Sequence, residues 1–227
     1  MRFYALLCFG LLTGFASADE PAKRWEKQIA EFEKADAAKA PPKDAVLFVG
    51  SSSIRGWKLD KYLPNVKAIN RGFGGSQMSD SLYYADRIVI PYFPKAIVVY
   101  AGDNDIAKGK TAEQVTEDYA AFVKKVRSNL PKTRILFVSI KPSIKRWKLV
   151  DEMRKANEMI SALTLDDPLQ DFIDIDTPMI GSDGKPRTEL FAEDGLHLSH
   201  EGYLLWSKRT LAVLNKKPAK TPVAKPE

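Results

Sequence analysis

The sequence predicts an α/β protein built as one doubly wound domain around a parallel sheet. Three observations point there. Short β-branched and aromatic runs alternate with longer amphipathic stretches along most of the chain. The runs are apolar throughout, as in strands covered on both faces. The polar and glycine-rich residues fall where these runs stop, at the carboxyl ends of strands, where doubly wound folds bind their ligands. The expected architecture is therefore a three-layer, flavodoxin-like domain with about five strands.

The elements follow in order. Arg24 to Ala40 is rich in Ala, Glu and Lys, with Trp25, Ile29 and Phe32 roughly on one face; it reads as a helix ended by Pro41-Pro42. Val46–Val49 is the first strand and Val66–Ile69 the second. Ser79–Ile90 has helical spacing. Ala96–Tyr100 is the third strand, apolar in every position. Thr111–Leu130 is a helix in which Thr111 caps the start, Gln114 completes a capping box and Pro131 follows the end. Ile135–Ile140 is the fourth strand, a helix surrounds Lys148–Leu163, Phe172–Ile175 is the fifth strand, and His200–Leu214 closes the domain.

Both ends read differently. Arg2 precedes an apolar run from Phe3 to Phe15 and then Ala16-Ser17-Ala18, the pattern of a secretory leader cut after Ala18. The run is short for a membrane span, which needs about 20 residues. Residues 19–44 form a helix and linker, 45–215 the domain, and 216–227 a Lys-, Pro- and Ala-rich tail without core-forming residues. An exported protein with no stable membrane insertion after leader removal is the expectation. The only cysteine, Cys8, lies in the leader, so the mature chain has no thiol for a disulfide or a nucleophile. Of the net charge of +6, the tail carries three units and Arg2 one. The remaining excess is too small for a nucleic-acid footprint. The sequence leaves the oligomeric state open.

Asp194-Gly195-Leu196-His197 carries the chemistry. A carboxylate three residues before an imidazole, on a loop, can hold that imidazole in one tautomer, as an acyl-transfer base requires. Only His197 and His200 are available as histidine bases. Ser51-Ser52-Ser53, after the first strand, offers a nucleophile, although three serines there also suit a helix cap. Gly75 lies in a glycine-rich turn where its N–H can approach a substrate. Asn104 offers a side-chain amide, or an Asx-turn, between Asp103 and Asp105, which read as loop-ordering or solvated. Asp103, Asp105 and Asp194 lack the ligand spacing of a metal site. Asp174 and Asp176 read as structural. Trp57, Phe73 and Trp147, with Arg55, Lys141 and Arg146, are explained as well by core packing and solvated charge as by a pocket.

These blocks resemble the SGNH hydrolase superfamily, also called GDSL-type esterases and lipases. The resemblance runs from Phe48 to His197. Gly50-Ser51-Ser52 lies over the family's Gly-Asp-Ser, Asn70 to Gly75 over its Asn and glycine-rich turn, Gly102-Asp103-Asn104-Asp105 over Gly-x-Asn-Asp, and Asp194 with His197 over Asp-x-x-His. Ser51 stands where the family usually has Asp. The resemblance implies Ser52 as nucleophile, His197 as base, Asp194 as its orienter, and the N–H groups of Ser52 and Gly75 with the Asn104 amide as the oxyanion hole. No cofactor and no metal are implied. The expected activity is hydrolysis of a carboxylic ester, with small acyl groups on glycans favoured by export and by the lack of a long apolar lid segment. The alternative is a non-catalytic carbohydrate- or cell-wall-binding module on the same scaffold, which would not turn over p-nitrophenyl acetate.

Overall fold

A computed structural model describes residues 23–216; the expected leader and all but the first residue of the expected tail lie outside them. After a single 3-10 turn at Lys23–Trp25, the chain runs through α1 (Glu26–Ala38), β1 (Val46–Gly50), α2 (Ser52–Arg55), α3 (Leu59–Tyr62) and β2 (Ala68–Gly72). It continues with α4 (Met78–Tyr83), α5 (Ala85–Ile88), β3 (Ala96–Tyr100), α6 (Asp103–Ala107), α7 (Ala112–Asn129) and β4 (Arg134–Val138). The last elements are α8 (Val150–Leu165), β5 (Gln170–Ile173) and α9 (His200–Leu214).

All five strands pair in parallel, in the order β2-β1-β3-β4-β5. The chain leaves β1 toward one edge for β2 and returns to the other side for β3, so the winding reverses at β1 and β3. That reversal opens the crevice in which doubly wound sheets carry their sites. Each residue of β1, β3 and β4 is buried, which explains why these strands read as unbroken apolar runs. Their side chains still alternate. Leu47, Val49, Ile97, Val99, Ile135 and Phe137 face one layer with Ile29 of α1, Tyr119 and Phe122 of α7 and Ile160 of α8. Val46, Phe48, Val98, Tyr100, Leu136 and Val138 face the other, with Ile54 of α2, Leu59 of α3 and Trp206 of α9. Each such buried side chain contributes about 1.5–3 kcal/mol relative to exposure.

The Thr111 cap forms as the sequence predicts: its Oγ1 accepts from the Gln114 N–H at 3.3 Å and its N–H donates to Gln114 Oε1 at 3.0 Å. Two expectations need correction. β2 runs through Gly72 instead of stopping at Ile69. Asn70 and Arg71 can continue the strand because their polar groups are satisfied from outside the sheet. The Asn70 amide donates to the carbonyls of Ile54 and Trp57 at 2.7 and 3.1 Å, and Arg71 pairs with Asp36 of α1 at 2.5 Å. The helical stretch expected over Ser79–Ile90 is two short helices. Tyr84, at φ −86° and ψ 3°, leaves the helical path between them and packs its ring against Phe73, centroids 6.1 Å apart.

Candidate active site

β1 delivers its serines through a turn that only glycine can make. Gly50 has φ +136°, and a Cβ there would stand 1.9 Å from the Tyr100 carbonyl oxygen. The turn is tied to both neighbouring strands, with Ser51 N–H donating to Tyr100 O at 3.0 Å and Phe73 N–H donating to Gly50 O at 2.9 Å. α2 then begins at Ser52. The capping position therefore belongs to Ser51, whose side chain makes no capping hydrogen bond. Ser53 is not a cap: it sits inside the helix, buried, with its hydroxyl unpartnered among the described residues. Ser52 alone of the three is half-buried rather than buried.

The Ser52 Oγ lies 3.1 Å from His197 Nε2, and His197 Nδ1 lies 2.5 Å from Asp194 Oδ2. An ionised carboxylate only accepts, so Nδ1 carries the ring proton and Nε2 faces the serine hydroxyl as an acceptor. Asp194 Oδ1 also accepts the backbone N–H groups of His197 and Leu196, both at 2.9 Å. The His197 hydrogen bond, followed by these two amides, holds the Asp194 carboxyl well below the usual carboxylate range. The other histidine is elsewhere: His200 Nδ1 lies 3.0 Å from the Tyr62 hydroxyl.

Gly75 sits in the turn after β2 at φ +77°. An N-terminal arm braces it. Arg24 Nη2 donates to the Gly75 carbonyl at 3.1 Å, and the Trp25 ring stands 3.5 Å from where a Gly75 Cβ would be. Asn104 is on α6, and its side chain reaches across the fold instead of forming an Asx-turn. Nδ2 donates to Ser76 O at 3.0 Å, and Oδ1 accepts from both Arg146 Nη1 and Nη2 at 3.1 Å. An amide NH2 has two hydrogens, so one remains after the bond to Ser76. Hydrogen bonds thus connect the Gly50–Ser53 turn to the Gly75 turn through Phe73, and that turn to α6 through Ser76 and Asn104.

The aspartates beside Asn104 are both buried, which corrects the solvated alternative. Asp105 orders the loops: its carboxylate accepts from Met78 N–H at 3.0 Å and Gly102 N–H at 3.0 Å, and pairs with Lys110 at 3.1 Å. Burial pushes its carboxyl up, against the opposing pull of Lys110. Asp103 meets Lys141, a lysine only 1% exposed, at 2.5 Å, and contacts Arg146. The sequence alone left Lys141 and Arg146 between solvated charge and pocket lining. The one visible signal was Lys141 directly after the run Ile135–Ile140.

The remaining pocket candidates divide. Trp57 and Phe73 are core, the former donating to Ser207 Oγ at 3.0 Å. Arg55 is exposed and lies over Gly74, and Trp147 is half-buried beneath Arg154 and Lys185. Asp174 and Asp176 are structural, bound to Arg209 and Arg154. A cavity of about 520 Å³ between α8 and β5 is lined by Ser139, Asn157 and Asp176 but not by the serine–histidine pair.

Comparison with known proteins finds a family and shared folds. The model of the GDSL-like lipase/acylhydrolase family matches residues 45–205. The chain is 28% identical over 189 residues to the platelet-activating factor acetylhydrolase IB subunit alpha2 of Gallus gallus, covering 79% of each. Its fold is shared with a GDSL-like lipase from Bacteroides thetaiotaomicron (TM-score 0.70, 21% identity, 82% of this chain and 96% of that one). It is also shared with an acetylxylan esterase from Geobacillus stearothermophilus (TM-score 0.63, 11% identity, 79% and 98%). With the family match spanning most of the described residues, this chain belongs to the GDSL-like lipase/acylhydrolase family, within the SGNH hydrolase superfamily, and is a carboxylic ester hydrolase.

Proposed function

We propose that this hydrolase works through an acyl-enzyme on Ser52. The supporting observation is the unbroken run Ser52 Oγ–His197 Nε2, His197 Nδ1–Asp194 Oδ2, at 3.1 and 2.5 Å. His197 takes the hydroxyl proton as Ser52 attacks the ester carbonyl, and Asp194 stabilises the imidazolium that forms. The negative charge on the carbonyl oxygen is met by the N–H groups of Ser52 and Gly75 and by the free hydrogen of the Asn104 amide. Collapse of the tetrahedral intermediate expels the alcohol, which receives the proton from His197. Water, deprotonated by the same imidazole, then releases the acid and restores Ser52.

The substrate reading is a small acyl group on a glycan, met outside the cytoplasm after cleavage behind Ala18. The leader-like N-terminus supports export, and the fold shared with an acetylxylan esterase supports the substrate class. Turnover of p-nitrophenyl acetate and of an acetylated xylo-oligosaccharide tests the activity. A fluorophosphonate probe should label wild type, Ser51→Ala and Ser53→Ala but neither Ser52→Ala nor His197→Ala. Labelling that survives Ser52→Ala removes the proposed nucleophile. N-terminal sequencing of the exported protein should begin at Asp19; a retained Met1 contradicts export by cleavage.

A further inference from the structure

Two of the three proposed oxyanion donors are backbone amides, whose direction the chain path sets. The third, Asn104, is a side chain, and it has a wrong way round. Rotated by half a turn, it would present Oδ1, an acceptor, to a developing negative charge. Something must select the productive face.

The selection is visible in the hydrogen bonds. Nδ2 is drawn to the Ser76 carbonyl at 3.0 Å, while Oδ1 is gripped by both terminal nitrogens of Arg146 at 3.1 Å. A guanidinium only donates, so it tolerates Oδ1 and rejects the NH2 group. Arg146 is itself held. It is half-buried on the loop after β4 and contacts Asp103, whose other oxygen lies 2.5 Å from Lys141 Nζ and 3.2 Å from the Tyr100 hydroxyl. Lys141 also donates to that hydroxyl at 3.0 Å. Two cations thus share one buried carboxylate, which leaves a surplus positive charge behind the Asn104 amide. That surplus polarises the amide toward donation, and the low dielectric around it strengthens the effect.

We infer that Arg146 is the positioning residue of the oxyanion hole, fixing the Asn104 amide with its NH2 toward the reacting carbonyl, and that the Lys141–Asp103 pair fixes Arg146. The inference rests on the reading of Asn104 as an oxyanion donor.

The test is a double-mutant cycle on p-nitrophenyl acetate, with kcat, KM and melting temperature measured for each protein. Asn104→Ala should lower kcat about 10²–10³-fold, the usual loss of one oxyanion donor. Arg146→Ala should lower kcat by about 10–100-fold, a part of that loss, with KM within about twofold of wild type. Arg146→Lys keeps one donor to Oδ1 and should recover part of the rate. The combined variant should be no slower than Asn104→Ala alone, because Arg146 acts through that amide. If the two losses multiply, or if Arg146→Ala raises KM and spares kcat, Arg146 acts on the substrate and the inference is wrong. If Arg146→Ala does not fold, an Arg146→Lys rate equal to wild type, or one whose loss persists in the Asn104→Ala background, overturns it as well. An unchanged rate in Asn104→Ala instead removes the oxyanion reading itself, so the two failures are distinct.

Discussion

The turn proposed to carry the nucleophile, Gly50 to Ser53, and the loop proposed to carry the base, Asp194 to His197, are built by opposite means. Gly50 to Ser53 hangs from two strands, with its glycine pressed against the Tyr100 carbonyl and two of its three serines buried. The Asp194–His197 loop lies at the surface, with the two side chains 41% and 45% exposed, and is held mostly by short-range bonds. Besides the bonds to Asp194, the Ala192 N–H donates to His197 O at 2.8 Å and Gly195 N–H to Ala192 O at 2.9 Å. One segment is positioned by the core; the other is positioned by bonds among Ala192 to His197 and by the Lys145 N–H, which donates to Gly195 O at 3.0 Å. Damage to the first should appear as lost stability, and damage to the second as lost rate.

The sharpest way to break this contrast is Asp194→Asn. An amide at that position no longer enforces the tautomer, so kcat should fall about 10⁴-fold while the melting temperature barely moves. A large drop in melting temperature would show that the base loop supports the core after all. The loop's own pH response sharpens the point. The folded Asp194 carboxyl titrates below its ordinary value of 3.8, so its contribution to stability is complete above about pH 4. That contribution is lost progressively as the pH falls below the ordinary value and through the lower folded one. Following the Asp194 carboxyl carbon by NMR checks this, and a midpoint at or above 3.8 contradicts the hydrogen-bond account.

Gly50→Ala probes the other half. The positive φ alone costs an L-residue about 1–3 kcal/mol, before the clash with Tyr100 is counted. The expected result is a lower melting temperature, with wild-type levels of fluorophosphonate labelling in whatever fraction remains folded. The smallest effect belongs to Ser53→Ala, which removes a buried hydroxyl with no partner among the described residues. Stability should stay within about 0.5 kcal/mol of wild type or rise slightly, as denaturant unfolding would show. A clear loss would mean that Ser53 has a bond essential to the turn.

The same contrast governs what could be read from the sequence. Asp194 and His197 were legible because their partnership is local, three residues apart on one loop. The apolar strands were legible because burial on both faces leaves no other composition. The Ser52 register depended on the gapless match of Gly50-Ser51-Ser52 to a known block. α2, α3 and α6, of four or five residues, are too short to develop a helical period. Arg146 and Lys141 were not legible because their partners, Asn104 and Asp103, are 42 and 38 residues away. Asn70 and Arg71 read as loop because their polar groups are satisfied by α1 and by the α2 end, which a linear pattern does not show.

The brace on the Gly75 turn ties the proposed oxyanion hole to the segment ahead of α1. Arg24 binds the Gly75 carbonyl, and Trp25 packs edge-on against Phe73 at 5.7 Å, inside a segment that joins no strand. On the proposed oxyanion role of Gly75, proteolysis or a fusion partner at that segment should slow turnover. A relative that lacked this arm would need a different prop for the same turn.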